Sequence, residues 1–118
     1  METKLHPGLS IRIFRDEKCF GPGIAELLRR VDEHRSLRAA AQSMAMAYSK
    51  AWTIVKNAEN GLGFRLLETQ TGGVRGGGAT LTDKARQLLA AYDRFCDRVN
   101  AYSREAFAEE FSFLDETK

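Results

Sequence analysis

The chain has 118 residues, 43% of them hydrophobic and 29% charged, with a formal net charge of +2; this fits one soluble domain with its own core. No apolar run approaches the roughly 18 residues of a membrane-spanning helix, and the N-terminal Met-Glu-Thr-Lys-Leu-His-Pro-Gly has no apolar signal core. Cys19 and Cys96 are too few and too far apart for a disulfide framework or a zinc motif and fit a reducing cytosol, so a cytoplasmic location without membrane association is expected.

Residues 1–8 read as a flexible leader. The alternation in Leu9-Ser10-Ile11-Arg12-Ile13-Phe14-Arg15 predicts a strand with Leu9, Ile11 and Ile13 toward the core, followed by a loop from Asp16-Glu17-Lys18 to Gly21-Pro22-Gly23. Pro22 suits the first turn of a helix, where its missing N–H costs nothing. Ile24, Leu27, Leu28 and Val31 give that helix an apolar stripe to about His34.

Residues 36–60 predict two short helices joined by a tight turn. Leu37, Ala40, Ala41 and Met44 share one face of the first, with Ser36 placed as its N-cap. Ala47, Ala51, Val55, Ala58 and Leu62 line one face of the second, while Ser49, Lys50, Thr53, Lys56, Asn57 and Asn60 line the other. The alanine-rich stripes allow close helix approach. The polar face carries short donors and acceptors plus two lysines without a carboxylate, a composition suited to base edges and phosphates. Tyr48 and Trp52 flank the stripe; Trp52 is expected to cover the core, and Tyr48 to reach a phosphate with its hydroxyl. Ala45-Met46-Ala47 is just long enough for the turn of a helix-turn-helix.

Gly61 or Gly63 is placed to close the second helix in the left-handed conformation. Phe64–Thr71 reads as a strand, residues 72–78 carry five of the chain's ten glycines around a lone Arg75, and Ala79-Thr80-Leu81 returns as a short strand. A phosphate-binding loop would need Lys and Ser/Thr after its last glycine, where this chain has Ala79-Thr80. The segment reads instead as the wing of a winged helix, with Arg75 free to enter a minor groove. With the N-terminal strand the wing makes a small three-stranded sheet. Thr82 caps a final helix that runs without Gly or Pro from Ala85 to about Phe113. Its apolar positions Ala85, Leu88, Tyr92, Phe95, Val99, Tyr102 and Ala106 alternate by three and four residues, the repeat of a coiled-coil seam. Leu88, Tyr92, Phe95, Val99 and Tyr102 are thus the candidate dimer interface.

Residues 35–86 hold eight bases (Arg35, Arg38, Lys50, Lys56, Arg65, Arg75, Lys84, Arg86) against three acids (Glu59, Glu68, Asp83), leaving ten bases against thirteen acids elsewhere. Positive charge is therefore concentrated where the helix-turn-helix and wing are predicted. His6 and His34 have no metal-ligand or nucleophile partners in the pattern, and the acid pairs Asp32-Glu33 and Glu109-Glu110 point to different helix faces. No catalytic constellation assembles, and neither enzymatic activity, a metal nor a cofactor is expected.

The stretches Ser36-Leu37-Arg38-Ala39-Ala40-Ala41, Tyr48-Ser49-Lys50-Ala51-Trp52 and Thr71–Thr82 resemble the DNA-binding domain of LysR-type regulators, and more closely the N-terminal winged-helix domain of molybdate-responsive (ModE-type) regulators. The resemblance spans roughly residues 10–105. It departs at Ala45, where the family often has glycine; if that position needs φ > 0, alanine strains the turn by about 1 kcal/mol. In the molybdate-responsive regulators the oxyanion binds in separate C-terminal domains. This sequence ends at Lys118, at the end of its long helix, so molybdate binding is not expected.

The resulting expectation is a mainly α (α+β) winged helix-turn-helix over residues 9–81, continuous with a long dimerisation helix over 82–115. Its function would be sequence-specific binding of double-stranded DNA by a homodimeric transcriptional regulator. Base and phosphate contacts are expected from Arg38, Tyr48, Ser49, Lys50, Thr53, Lys56, Asn57, Arg65, Arg75 and Lys84. The alternative is a winged-helix protein-interaction scaffold, against which the lysines of the polar face argue. The operator, the regulated genes and the sign of regulation are not written in the sequence.

Overall fold

The computed structural model describes residues 4–70 and 78–115. Strand β1 (Ile13–Phe14) and β2 (Lys18–Phe20) lead into helix α1 (Pro22–His34), then α2 (Leu37–Ser43) and α3 (Tyr48–Leu62). Strands β3 (Leu67–Gln70) and β4 (Gly78–Leu81) precede α4 (Asp83–Glu110), and a 3-10 turn follows at Ser112–Asp115. Gly72–Gly77 and Arg75, the expected wing tip, lie outside the described residues. Among the described residues no helix is long and apolar enough to cross a membrane.

The helix boundaries follow from local chemistry. The Ala39 N–H donates to Ser36 Oγ at 3.0 Å, and the Ala85 N–H to Thr82 Oγ1 at 3.0 Å, so both expected caps form. Thr82 works in two directions, because its hydroxyl also donates to the Arg65 carbonyl at 2.8 Å. Gly63 closes α3 at φ 87°. Gly61 remains inside α3, where it serves packing: a Cβ there would fall far inside contact distance of the Cys19 side chain.

The winged helix-turn-helix architecture is as expected, but its strands form two separate antiparallel hairpins, β1–β2 and β3–β4, rather than one three-stranded sheet. The first strand is shorter than its alternating pattern implied, and Leu9 is exposed while Ile11 and Ile13 are half-buried. Lys18–Phe20, expected as loop, supplies β1's partner. Pairing across the three-residue turn Arg15–Glu17 closes a short loop, whereas joining the wing would order a connection of some fifty residues. Pairing β2 also buries Cys19 and Phe20 between α1 and α3.

One core joins the elements. Leu27, Leu28 and Val31 of α1 meet Ala40 and Ala41 of α2, Ala51, Val55 and Ala58 of α3, and Leu66, Leu67, Ala79 and Leu81 of the wing base. Tyr92 of α4, expected in the dimer seam, packs into this core. It is 6% exposed, its ring meets Phe20 edge-on at 5.1 Å, and its hydroxyl donates to the Ile11 carbonyl at 2.7 Å. Burial, with Cys96 beside it, raises the phenol above its ordinary pKa. Leu88 likewise packs partly against the core.

Ion pairs lock α4 to α1 through Arg29–Asp93 at 2.6 Å and Arg86–Asp32 at 2.7 Å. Arg30 ties α1 to α2 by donating to the Ser43 carbonyl at 2.9 Å. It also hydrogen-bonds Glu26, which together with Arg29 holds that carboxyl below the ordinary carboxylate range. Beyond Asn100, α4 leaves the domain. The molecule extends 66 Å along its long axis, and its radius of gyration of 18.4 Å exceeds the ~13.5 Å of a compact chain this long.

The joint between α2 and α3 is strained at Ala45, φ 54°, where the Met46 N–H reaches back to the Ala41 carbonyl at 2.9 Å. Ala45→Gly is therefore expected to stabilise the fold by about 0.5–1 kcal/mol, relief of the left-handed penalty outweighing glycine's entropy. Gly61→Ala should do the opposite, costing about 1–3 kcal/mol, because the clash with Cys19 exceeds the gain in helix propensity. Thermal and urea denaturation of the two variants checks both signs.

Candidate nucleic-acid interface

Helix α3 is held by its alanines. Ala51, Val55 and Ala58 are 0–3% exposed, so the helix cannot rotate without opening the core. That fixes Ser49, Lys50, Thr53, Lys56, Asn57 and Asn60 on the exposed side. The Thr53 hydroxyl donates to the Ser49 carbonyl at 3.1 Å, which keeps its oxygen available as an acceptor. Glu59, at the margin of this face, is turned inward, and its carboxylate accepts the Leu66 N–H at 2.7 Å. The exposed side of α3 thus presents lysines, hydroxyls and amides, while its one acid fastens the helix to the start of the wing.

The two edges of this face differ. Along one edge, the Arg38 guanidinium of α2 stacks over the Tyr48 ring at 4.1 Å from the centroid. Tyr48 meets Trp52 edge-on at 6.4 Å, and Lys56 Nζ sits 5.4 Å from the Trp52 ring centre. Trp52 is half-buried against the core, in line with the covering role read from its position, and it also carries a cation. Along the other edge, Asn57 borders a recess of about 240 Å³ whose walls include Lys18, Phe20, Met46 and Ile54. Asn57 thus faces the β1–β2 hairpin as much as solvent.

At the wing base, Arg65 donates to the Leu67 carbonyl at 3.4 Å and Lys84 Nζ lies 5.3 Å from the Phe64 ring centre. Both are exposed. The wing is anchored by the Ala79 N–H donating to the Arg35 carbonyl at 3.1 Å and the Thr82 N–H to Leu66 at 2.9 Å. Arg35 takes φ 59° to end α1, a conformation that aims its carbonyl at β4. Of the ten residues expected to touch DNA, seven belong to α2 or α3, Arg65 stands at the wing base, Lys84 lies in the first turn of α4, and Arg75 falls outside the described residues.

Sequence reasoning missed the pairing of Arg38 with Tyr48 and of Lys56 with Trp52. The spacing of Tyr48, Trp52 and Lys56, four residues apart along α3, was the available signal for the second. The first crosses from α2 to α3 and had no local signature.

Residues 25–86 match the family of bacterial regulatory helix-turn-helix proteins, lysR family. Over 66 residues, 56% of this chain and 24% of the relative, it is 38% identical to the molybdenum transport protein ModE of Herbaspirillum seropedicae. Over 73 residues, 61% of this chain and 28% of the relative, it is 38% identical to the transcriptional regulator ModE of Haemophilus influenzae. It is also 36% identical over 66 residues to the molybdenum-pterin-binding protein MopB of Rhodobacter capsulatus, covering 56% of this chain and 24% of that one. The matched stretch is about a quarter of the length of these curated relatives. The family match takes in more than half of this chain and both helices of the helix-turn-helix, and the chain belongs to the lysR family of bacterial regulatory helix-turn-helix proteins.

Proposed function

We propose that the protein binds double-stranded DNA sequence-specifically in the cytoplasm and regulates transcription. The observation that carries this reading is the exposed face of α3, whose lysines, hydroxyls and amides stand opposite a stripe buried to 3% or less. A helix presented in this way enters the major groove with base-reading groups near its N-terminus, here Ser49, Lys50 and Thr53. Arg38, Lys56, Arg65 and Lys84 then meet the flanking phosphates, and Arg75 on the wing reaches the adjacent minor groove. The relatives' names refer to molybdenum, but the shared residues are the helix-turn-helix and its surroundings; the function proposed for this domain includes no molybdate.

The proposal includes a homodimer. Phe95 is 53% and Tyr102 71% exposed on α4, with Val99 between them. Water around so large an apolar stripe is unfavourable by about 25 cal/mol per Å², and a two-fold partner helix removes it. Tyr92 is covered by its own domain and Leu88 partly so, which leaves the residues beyond them as the larger share of this contact.

Three measurements test the reading. After selection of sites from a random DNA pool, Lys50→Ala should weaken binding to the selected site by about 1–3 kcal/mol if Lys50 makes a bidentate contact to guanine; undiminished binding removes Lys50 from base readout. The selected site should be an inverted repeat with half-site centres about one helical turn apart. Replacing Phe95 and Val99 together by Asp should give a folded monomer in sedimentation with much weaker binding to that site. A parent that sediments as a monomer at micromolar concentration overturns the dimer and the palindrome with it.

A further inference from the structure

Some arginines of this fold are held by carboxylates and one by an aromatic ring. Arg29, Arg30 and Arg86 each face a carboxylate at 2.6–3.1 Å, so their charge is neutralised in place. Arg38 makes no ion pair among the described residues and lies instead over an aromatic ring at 4.1 Å. A ring attracts a cation through its quadrupole and carries no net charge. It therefore fixes the cation's position without cancelling the charge. It also occupies only the face of the guanidinium, leaving the in-plane N–H groups free to donate. Lys56 is held similarly over Trp52, with Glu59 at 3.8 Å as a shared and already hydrogen-bonded neighbour.

The two cation–ring pairs are joined by the edge-on contact of Tyr48 with Trp52. The row Arg38, Tyr48, Trp52, Lys56 therefore runs from α2 along one edge of the α3 face. From Tyr48 to Lys56 is eight residues, about 12 Å of helix, comparable to the width of the major groove. Trp52 is wedged half into the core, which holds the middle of the row in register with the fold.

We infer that Tyr48 and Trp52 are positioning residues that hold Arg38 and Lys56 as a pre-set pair of backbone-contacting cations, Tyr48 acting through its ring and not through its hydroxyl. This rests on the DNA-binding reading and adds to it a division of labour. Ordering a long cation before the encounter reduces the side-chain entropy lost on binding, and the aromatic row supplies that order.

The test compares Tyr48→Phe with Tyr48→Leu, each alone and in an Arg38→Ala background, against the duplex selected by the parent, at several salt concentrations. The first variant keeps the ring and the second removes it. Tyr48→Phe should bind within about twofold of the parent, and Tyr48→Leu roughly three- to fivefold more weakly, the equivalent of one surface cation–π interaction. In the Arg38→Ala background the two should bind alike. Arg38→Ala itself should flatten the dependence of log K on log salt by about one unit, as when one phosphate is no longer neutralised. Free in solution, the Arg38 side-chain protons should show an upfield ring-current shift by NMR that survives Tyr48→Phe and disappears in Tyr48→Leu; this readout needs no DNA. Equal weakening in Tyr48→Phe and Tyr48→Leu would assign the effect to the hydroxyl and overturn the inference, as would a full effect of Tyr48→Leu persisting without Arg38. A parent that selects no duplex, with the ring-current shift present, would instead overturn the DNA-binding reading and the role built on it.

Discussion

The close approach of α3 to the rest of the domain is the constraint on which the remaining geometry depends. It is made by alanines: Ala40 and Ala41 from α2, Ala51 and Ala58 from α3, with Val55 and the leucines of α1 filling between them. Small side chains bring the helix axes close, and close-packed interiors resist the addition of even one methylene. Once those positions are buried, the rotation of α3 about its axis is settled, and with it the identity of every residue on the outer face. Gly61 extends the same logic to the far end of α3, where the absence of a Cβ lets β2 lie against the helix. The inward turn of Glu59 onto the Leu66 N–H then ties that end to the wing and clears the outer face of negative charge.

Charge in this molecule is organised by neutralisation as much as by count. Carboxylates hold the arginines between α1 and α4, where they clamp helices together across the surface. Exposed pairs of this kind contribute little individually. Elsewhere Arg38 of α2 and Lys84 of α4 are placed over rings, Lys56 of α3 over a ring with Glu59 at 3.8 Å, and Arg65 on a backbone carbonyl. The modest net charge of +2 therefore understates the positive potential of one surface.

Helix α4 has two characters along one continuous stripe. Its first half is a core element, sealed by Tyr92 against Phe20 and by the phenol's hydrogen bond to the Ile11 carbonyl. Its second half carries the same apolar periodicity past the edge of the domain, where Lys4–Pro7 and the side chains of Phe107 and Phe111 line a shallow recess. Phe107 stacks on Phe111 at 4.8 Å at this end.

Much of this was legible in the sequence because the signals were local. Ser36 and Thr82 announced their helices through a hydroxyl three residues from an unpaired N–H, Gly63 through its tolerance of positive φ, and the α3 face through a 3.6-residue period. The 3–4 spacing of α4 predicted a continuous helix equally well, but periodicity reports which residues share a stripe and not what covers it. Only the tertiary structure decided that Tyr92 faces its own core while Phe95 and Tyr102 stay exposed. It alone decided that Lys18–Phe20 pairs with β1, that Ala45 must sit at φ 54°, that Gly61 yields space to Cys19, and that Arg38 rests on Tyr48. Each of these is set by atoms far apart in the chain or by the path imposed on a turn by the helices it joins. A short-range pattern carries no record of such neighbours, because they exist only once the chain has closed upon itself.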